Sequence, residues 1–154
     1  MRVSTKQIVK SKVIRCSQDT AWRKWTTHEG LLSFFGRDNR IELTPGGAFE
    51  IYFLMDNPPG LRGSEGCTVL SFLPQEMLSF SWNAPPHFPE IRASEYRTWV
   101  VVQLKADSAD KTEITLTHLG WPDDSAWDPV FAYFDAAWES VLEELAAGLH
   151  GPES

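Results

Sequence analysis

At 154 residues and 17.4 kDa, with 42% hydrophobic and 23% charged residues, the chain has the make-up of one domain around one sizeable core. Gly and Pro number 10 each, average for a folded domain, so disordered, collagen-like and low-complexity readings fall away. A net charge of −7 and a pI near 5.0 argue against a general affinity for nucleic acid or anionic membrane surfaces. The longest apolar run, residues 51–55, is far short of the ~18–20 residues that span a bilayer, and residues 1–11 lack the apolar core of a signal peptide. A soluble, cytoplasmic protein is expected, and two cysteines, Cys16 and Cys67, with neither a disulfide framework nor a zinc spacing, suit a reducing compartment.

The charge is unevenly spread. Arg2, Lys6, Lys10, Lys12 and Arg15 precede the first acid, Asp19, whereas no Lys or Arg follows Lys111 and nine acids do. Two oppositely charged edges of one fold, or a solvated basic arm, would give this distribution.

Residues 7–14 are rich in β-branched side chains and read as a strand. Ser17 then caps a short helix that turns Ala21, Trp22 and Trp25 inward. Thr27 caps a second helical turn, with Leu31, Leu32 and Phe35 at helical spacing and Gly36 as its stop. From residue 39 to 119 the apolar period changes to 2, the mark of an antiparallel meander. Ile41 to Leu43 and the alternating set Phe49, Ile51, Phe53 and Met55 flank a Pro45-Gly46-Gly47 turn as one hairpin. Residues 56–60 form a loop, and residues 66–73 and 77–82 flank Pro74-Gln75 as a second hairpin.

Residues 83–93 hold Pro85, Pro86 and Pro89 and cannot be a central strand. The sheet resumes over residues 95–105, with Thr98, Val100, Val102 and Leu104 on one face, and closes over residues 111–119, with Ile114, Leu116 and His118 inward. The last third is one long helix. Asp128-Pro129 is read as N-cap and first position, and Val130, Phe131, Phe134, Trp138, Val141, Leu142, Leu145 and Leu149 form its apolar stripe. That stripe needs the concave face of a sheet to cover it.

This order of elements resembles the helix-grip fold of the START-like, or SRPBCC, superfamily, and within it the homologues of the activator of the heat-shock-protein-90 ATPase. The residues that carry the resemblance are the helix start at residues 17–25, Thr44-Pro45-Gly46-Gly47-Ala48-Phe49, and residues 72–82 with Pro74, Leu78, Phe80 and Trp82. Residues 111–118 and Phe134, Ala137, Trp138, Leu142 and Leu145 complete it. It spans about residues 7–149 of a single domain, 1–154. The resemblance implies an α+β fold, a curved antiparallel sheet of six to seven strands wrapped around a long C-terminal helix, with two short helices between strands 1 and 2. It further implies an apolar cavity between sheet and helix, since superfamily relatives bind lipids, sterols, polyketides or hormones there and only some are enzymes. Ala137-Trp138 stands where Gly-Trp is frequent, and Phe34-Phe35 where a Trp is frequent, differences of packing or pocket shape.

Chemistry leaves few marks. The four histidines, His28, His87, His118 and His150, show no metal-ligand spacing, and no nucleophile motif or phosphate-binding loop is present. The glycines at 60, 63 and 66 read as a flexible loop around Arg62. His118 is either a satisfied core histidine, a polar anchor for a ligand, or a general acid/base. Trp82 and Trp138 are either core or ligand shelf. The 7 Trp, 9 Phe and 3 Tyr suit an aromatic pocket, whose expected lining is Phe53, Met55, Trp82, Tyr96, Trp99, His118, Phe134 and Trp138. Strand alternation forbids Tyr96 and Trp99 from both facing inward with Thr98 unless a bulge intervenes. The expected function is non-catalytic binding of a small apolar or aromatic molecule, without cofactor or metal. The alternatives are a protein-interaction module with a chaperone partner, and a cyclase- or hydrolase-type enzyme using His118. A homodimer through the sheet edge or the outward face fits a domain of this size.

Overall fold

The computed structural model describes residues 1–148. Strand β1 (Ile8–Ile14) is followed by helices α1 (Gln18–Thr26) and α2 (His28–Leu32). Ser17 accepts a hydrogen bond from the Thr20 amide at the start of α1, and Thr27 accepts one from the Gly30 amide at the start of α2, so both caps stand where the sequence puts them. The hairpin β2 (Asp38–Ile41) and β3 (Phe49–Tyr52) comes next, then β4 (Val69–Leu73), β5 (Met77–Trp82), the short helix α3 (Pro89–Ala93), β6 (Thr98–Ser108) and β7 (Lys111–Leu119). A 3₁₀ turn at Ser125–Trp127 leads into the long helix α4 (Asp128–Ala147).

Five strands form one antiparallel sheet in the order β1-β7-β6-β5-β4. The β2–β3 hairpin is tied to β4 through Gly46 and Val69, whose amides donate to Val69 and Gly47 carbonyls at 2.8 Å each, and through the Phe49 amide on the Cys67 carbonyl at 2.9 Å. The seven strands, two helices between β1 and β2 and the closing helix make the expected helix-grip arrangement. Its core follows the period-2 reading: Val100, Val102 and Leu104 on β6 and Ile114, Leu116 and His118 on β7 are buried, and Val130, Phe134, Trp138, Leu142 and Leu145 of α4 meet them. Leu149 and His150 lie outside the described residues.

Three elements depart from the sequence expectation. Strand β3 ends at Tyr52 rather than running on to Met55, because the Phe53 and Leu54 amides both donate to the Arg62 carbonyl, at 2.8 and 2.9 Å. The chain there pairs with its own loop instead of with a strand. Residues 89–93 of the proline-rich connection form a helical turn, α3, with Pro89 at its first position. Asp128 is not a cap. Asp124 caps the 3₁₀ turn through the Ala126 amide at 2.9 Å, that turn runs straight into α4, and Asp128 already has helical dihedrals.

The lopsided charge also finds its place. Lys6 pairs with Asp128 at 3.2 Å, and Lys10 reaches Asp135 at 3.2 Å and Glu139 at 3.5 Å. The basic N-terminal strand thus faces acids of the C-terminal helix, and these pairs tie two elements far apart in sequence rather than forming a solvated arm.

Candidate ligand cavity

Beside the last turns of β5 and the middle of α4 the core is not filled. A cavity of about 210 Å³ lies there, walled by Phe35 after α2, Trp82 at the end of β5, and Tyr133, Phe134, Ala137, Trp138 and Val141 of α4. Two connections complete it: the β3–β4 loop contributes Phe53, Leu54, Arg62 and Gly63, and the β5–α3 loop contributes Asn83, Pro85, Pro86 and His87. The rings of Phe35, Trp82 and Trp138 meet one another with centroids 5.4–5.7 Å apart and form the inner end. Phe53, Leu54 and Tyr133 keep partly exposed side chains and form the rim.

The loop that carries Arg62 is built around one carboxylate. Glu65 Oε1 accepts from the Gly63 amide at 2.7 Å and from Arg92 at 3.2 Å, while Oε2 accepts from the Gly60 amide at 2.7 Å and the Arg62 amide at 2.9 Å. Burial pushes the Glu65 carboxyl up, but the backbone donors of Arg62, Glu65 itself, Gly63 and Gly60 outweigh it and hold the group below the ordinary carboxylate value. Gly63 approaches β3 so closely that a Cβ there would sit 2.0 Å from the Ile51 carbonyl oxygen, so only glycine brings this loop against the strand. Arg92, charge partner of Glu65, also donates to the carbonyls of Ala84 and Gly60 at 2.7 Å each and so joins the two connections. The glycine-rich stretch is therefore a braced loop, not the flexible one expected from composition.

Behind the inner wall stands His118. The Trp138 indole N–H donates to His118 Nδ1 at 2.9 Å. Since an indole nitrogen can only donate, the proton of the imidazole sits on Nε2, which donates to Thr98 Oγ1 at 2.6 Å; the Thr98 hydroxyl in turn donates a hydrogen bond to the Trp82 carbonyl at 3.2 Å. Burial lowers the His118 pKa to about 3, so the ring is neutral near pH 7 with both nitrogens engaged by the protein. Cys16 and Cys67 are also buried, and burial raises both thiols, Cys67 to about 11, which keeps them protonated and poorly nucleophilic. Among the described residues no three His, Cys, Asp or Glu side chains converge as a metal site.

Of the eight residues expected to line a pocket, the structure gathers Phe53, Trp82, Phe134 and Trp138 in this wall. The other four stand elsewhere. Met55 lies in the turn that follows the early end of β3, outside the wall and partly exposed. Tyr96 bonds the Gly120 carbonyl and packs its ring on Trp127 at 5.7 Å, because Glu95, with φ of +66°, turns the chain before β6 begins. Trp99 falls on the outer face of β6, opposite the inward Thr98 and Val100, and covers Gly120. His118 is sealed behind Trp138 and Phe134. The sequence reading missed Arg62, Asn83 and His87, whose segments prolines and glycines marked as connections with no spacing to say which side chains turn inward, and it missed Tyr133, which lies on α4 beside the buried stripe.

Compared with curated proteins, the sequence finds no match. Among solved structures, the chain is similar to protein MLL2253 from Mesorhizobium loti at 19% identity, over 94% of this chain and 96% of that one, with a TM-score of 0.73. It is similar to the Aha1 dimer from Colwellia psychrerythraea at 17% identity, over 97% and 100% of the two chains, with a TM-score of 0.73. CalU16 from Micromonospora echinospora matches at 19% identity, over 96% and 78%, with a TM-score of 0.66. At these identities the likeness is one of fold. The family model described as Activator of Hsp90 ATPase homolog 1-like protein matches residues 15–150. With the helix-grip fold in place and nearly the whole sequence matched, the chain belongs to the family of Activator of Hsp90 ATPase homolog 1-like proteins.

Proposed function

We propose that the protein binds a small, mainly apolar molecule in the cavity between α4 and the two connections. The observation that carries this reading is the wall itself: aromatic rings from the segment after α2, from β5 and from α4 enclose unfilled space whose rim is partly exposed. Interiors pack densely, and a concave apolar site with a few polar groups is the usual form of a small-molecule pocket. The site is read as one for binding: among the described residues its wall is mainly aromatic and aliphatic, with Arg62, Asn83, His87 and Tyr133 as its polar side chains.

The test uses N-phenyl-1-naphthylamine, a neutral aromatic probe. Saturable fluorescence enhancement is expected with the wild type, and its loss with Ala137→Trp, which fills the cavity from its half-buried place on the α4 wall. A fluorescence response equal in wild type and variant would reject the site. Native mass spectrometry of the protein as purified would reveal any retained ligand by a mass that disappears on denaturation.

A second reading, docking on another protein, draws support from the chaperone cofactor named in the family description and from the dimer formed by the Colwellia psychrerythraea relative. A concentration series in analytical ultracentrifugation separates monomer from dimer. No helix of the described residues is long and apolar enough to cross a membrane.

A further inference from the structure

Resting on the cavity reading, the geometry points to an organic monoanion as the occupant, an aromatic carboxylate whose ring system fills the apolar space and whose acid group meets Arg62. Arg62 is the one permanently charged side chain in the wall. Its Nε donates to the Asn57 carbonyl at 2.8 Å, which fixes the guanidinium plane. Among the described residues no carboxylate pairs with it. The nearest acid in sequence, Glu65, is consumed by three backbone amides and Arg92, so the loop has already paired its negative charge, and among the described residues none claims the terminal nitrogens of Arg62.

Trp82 belongs to the same wall, but its indole nitrogen is fully buried, so the guanidinium is the wall's charged donor. A wall whose one charge is an unpaired guanidinium favours an acceptor-rich, negatively charged group. The protein's overall charge of −7 disfavours anions at long range, but that field is screened beyond roughly 8–10 Å at physiological ionic strength. A bidentate contact with one preorganised arginine inside an apolar wall is not screened in this way.

Two isosteric probes decide it: 1-naphthaleneacetate and 1-naphthaleneacetamide, titrated calorimetrically into the full chain at pH 7.5. The wild type is expected to bind the acid at least tenfold more tightly than the amide. Arg62→Met should abolish the preference, the acid losing at least tenfold more affinity than the amide, while Arg62→Lys, which keeps the charge but not the planar fork, should retain part of the preference. Cooperative melting of each variant verifies its fold. Equal affinity of the wild type for both probes, or a preference that survives Arg62→Met, overturns the anion assignment while the cavity reading stands. Binding of neither probe at millimolar concentration, together with no response to N-phenyl-1-naphthylamine, overturns both.

Discussion

Trp138 Nε1 donates to His118 Nδ1 at 2.9 Å, with both side chains almost wholly buried. This bond makes one wall residue of the cavity a structural partner of the sheet, so the ring that faces a ligand is held from behind by β7. Trp138→Phe keeps an aromatic wall but leaves Nδ1 with no donor. The expected loss is about 2–4 kcal/mol, combining an orphaned buried acceptor with some lost volume. Thr98→Val removes the acceptor of the Nε2 proton and should cost about 1–3 kcal/mol. Urea unfolding measures both, and a change below a few tenths of a kcal/mol in either would mean that the relay does not support the core.

The same relay sets the response to acid. In the unfolded chain His118 titrates near 6.5, whereas burial holds the folded ring at about 3. The unfolded state therefore binds the proton first as the pH falls. The stability tied to the neutral ring is intact above pH 6.5 and is lost progressively towards pH 3. In total this is on the order of 5 kcal/mol, with about half gone by pH 4.5. Denaturant titrations from pH 7.5 to 4 should display this slope. His118→Phe should be less stable than wild type at pH 7 yet show a flatter profile between pH 6.5 and 4.5. An unchanged slope in the variant would move the acid sensitivity to other groups.

The parts legible in the sequence are those in which one face of an element is buried. Thr98 to Leu104 and Thr112 to His118 alternate because each strand offers one face to α4, and the α4 stripe repeats every three or four residues for the same reason. His118 could be placed inward by that alternation, but its role depends on Trp138 and Thr98, residues on two other elements, which no local period reports. Phe53 and Met55 keep the alternation of β3 in sequence, yet the chain has left the ladder by Phe53, drawn off by the Arg62 carbonyl. Arg62 itself was hidden because its placement follows from the four hydrogen bonds of Glu65, a cluster of contacts within a loop that obeys no periodicity.

Gly120 and Trp99 give a test of which tryptophans matter to the cavity. Gly120 has φ of +85°, and a Cβ there would lie 2.3 Å from the Trp99 ring. Gly120→Ala is expected to cost about 2–4 kcal/mol, from the left-handed backbone and from overpacking together. Trp99→Ala should relieve the steric part, so the double variant should be more stable than additivity of the two single changes gives. Because Trp99 lies on the outer face of β6, its replacement should leave probe affinity unchanged, unlike Ala137→Trp. A large loss of N-phenyl-1-naphthylamine binding in Trp99→Ala would place that ring in the functional wall after all.

Glu65 is the residue on which the loop's shape depends. Its carboxylate accepts from the amides of Gly60, Arg62 and Gly63 and from Arg92, and glutamine would present an N–H to at least one pair of those donors. Glu65→Gln should therefore cost about 1–3 kcal/mol and speed amide hydrogen exchange at Gly60, Arg62 and Gly63 by at least tenfold, while the β6–β7 amides speed up only as far as the loss of global stability dictates. Since the folded carboxyl lies below its ordinary value, the wild-type loop should keep its protection above about pH 4.5 and lose it as the pH falls through the folded pKa, whereas the variant's exchange enhancement should show no such transition. Affinity for 1-naphthaleneacetate should fall in parallel, because Arg62 would no longer be held against Asn57. Unaltered exchange at those three amides in the variant would show that the glycine turns alone hold the loop, and that Arg62 owes its position to the Asn57 carbonyl rather than to Glu65.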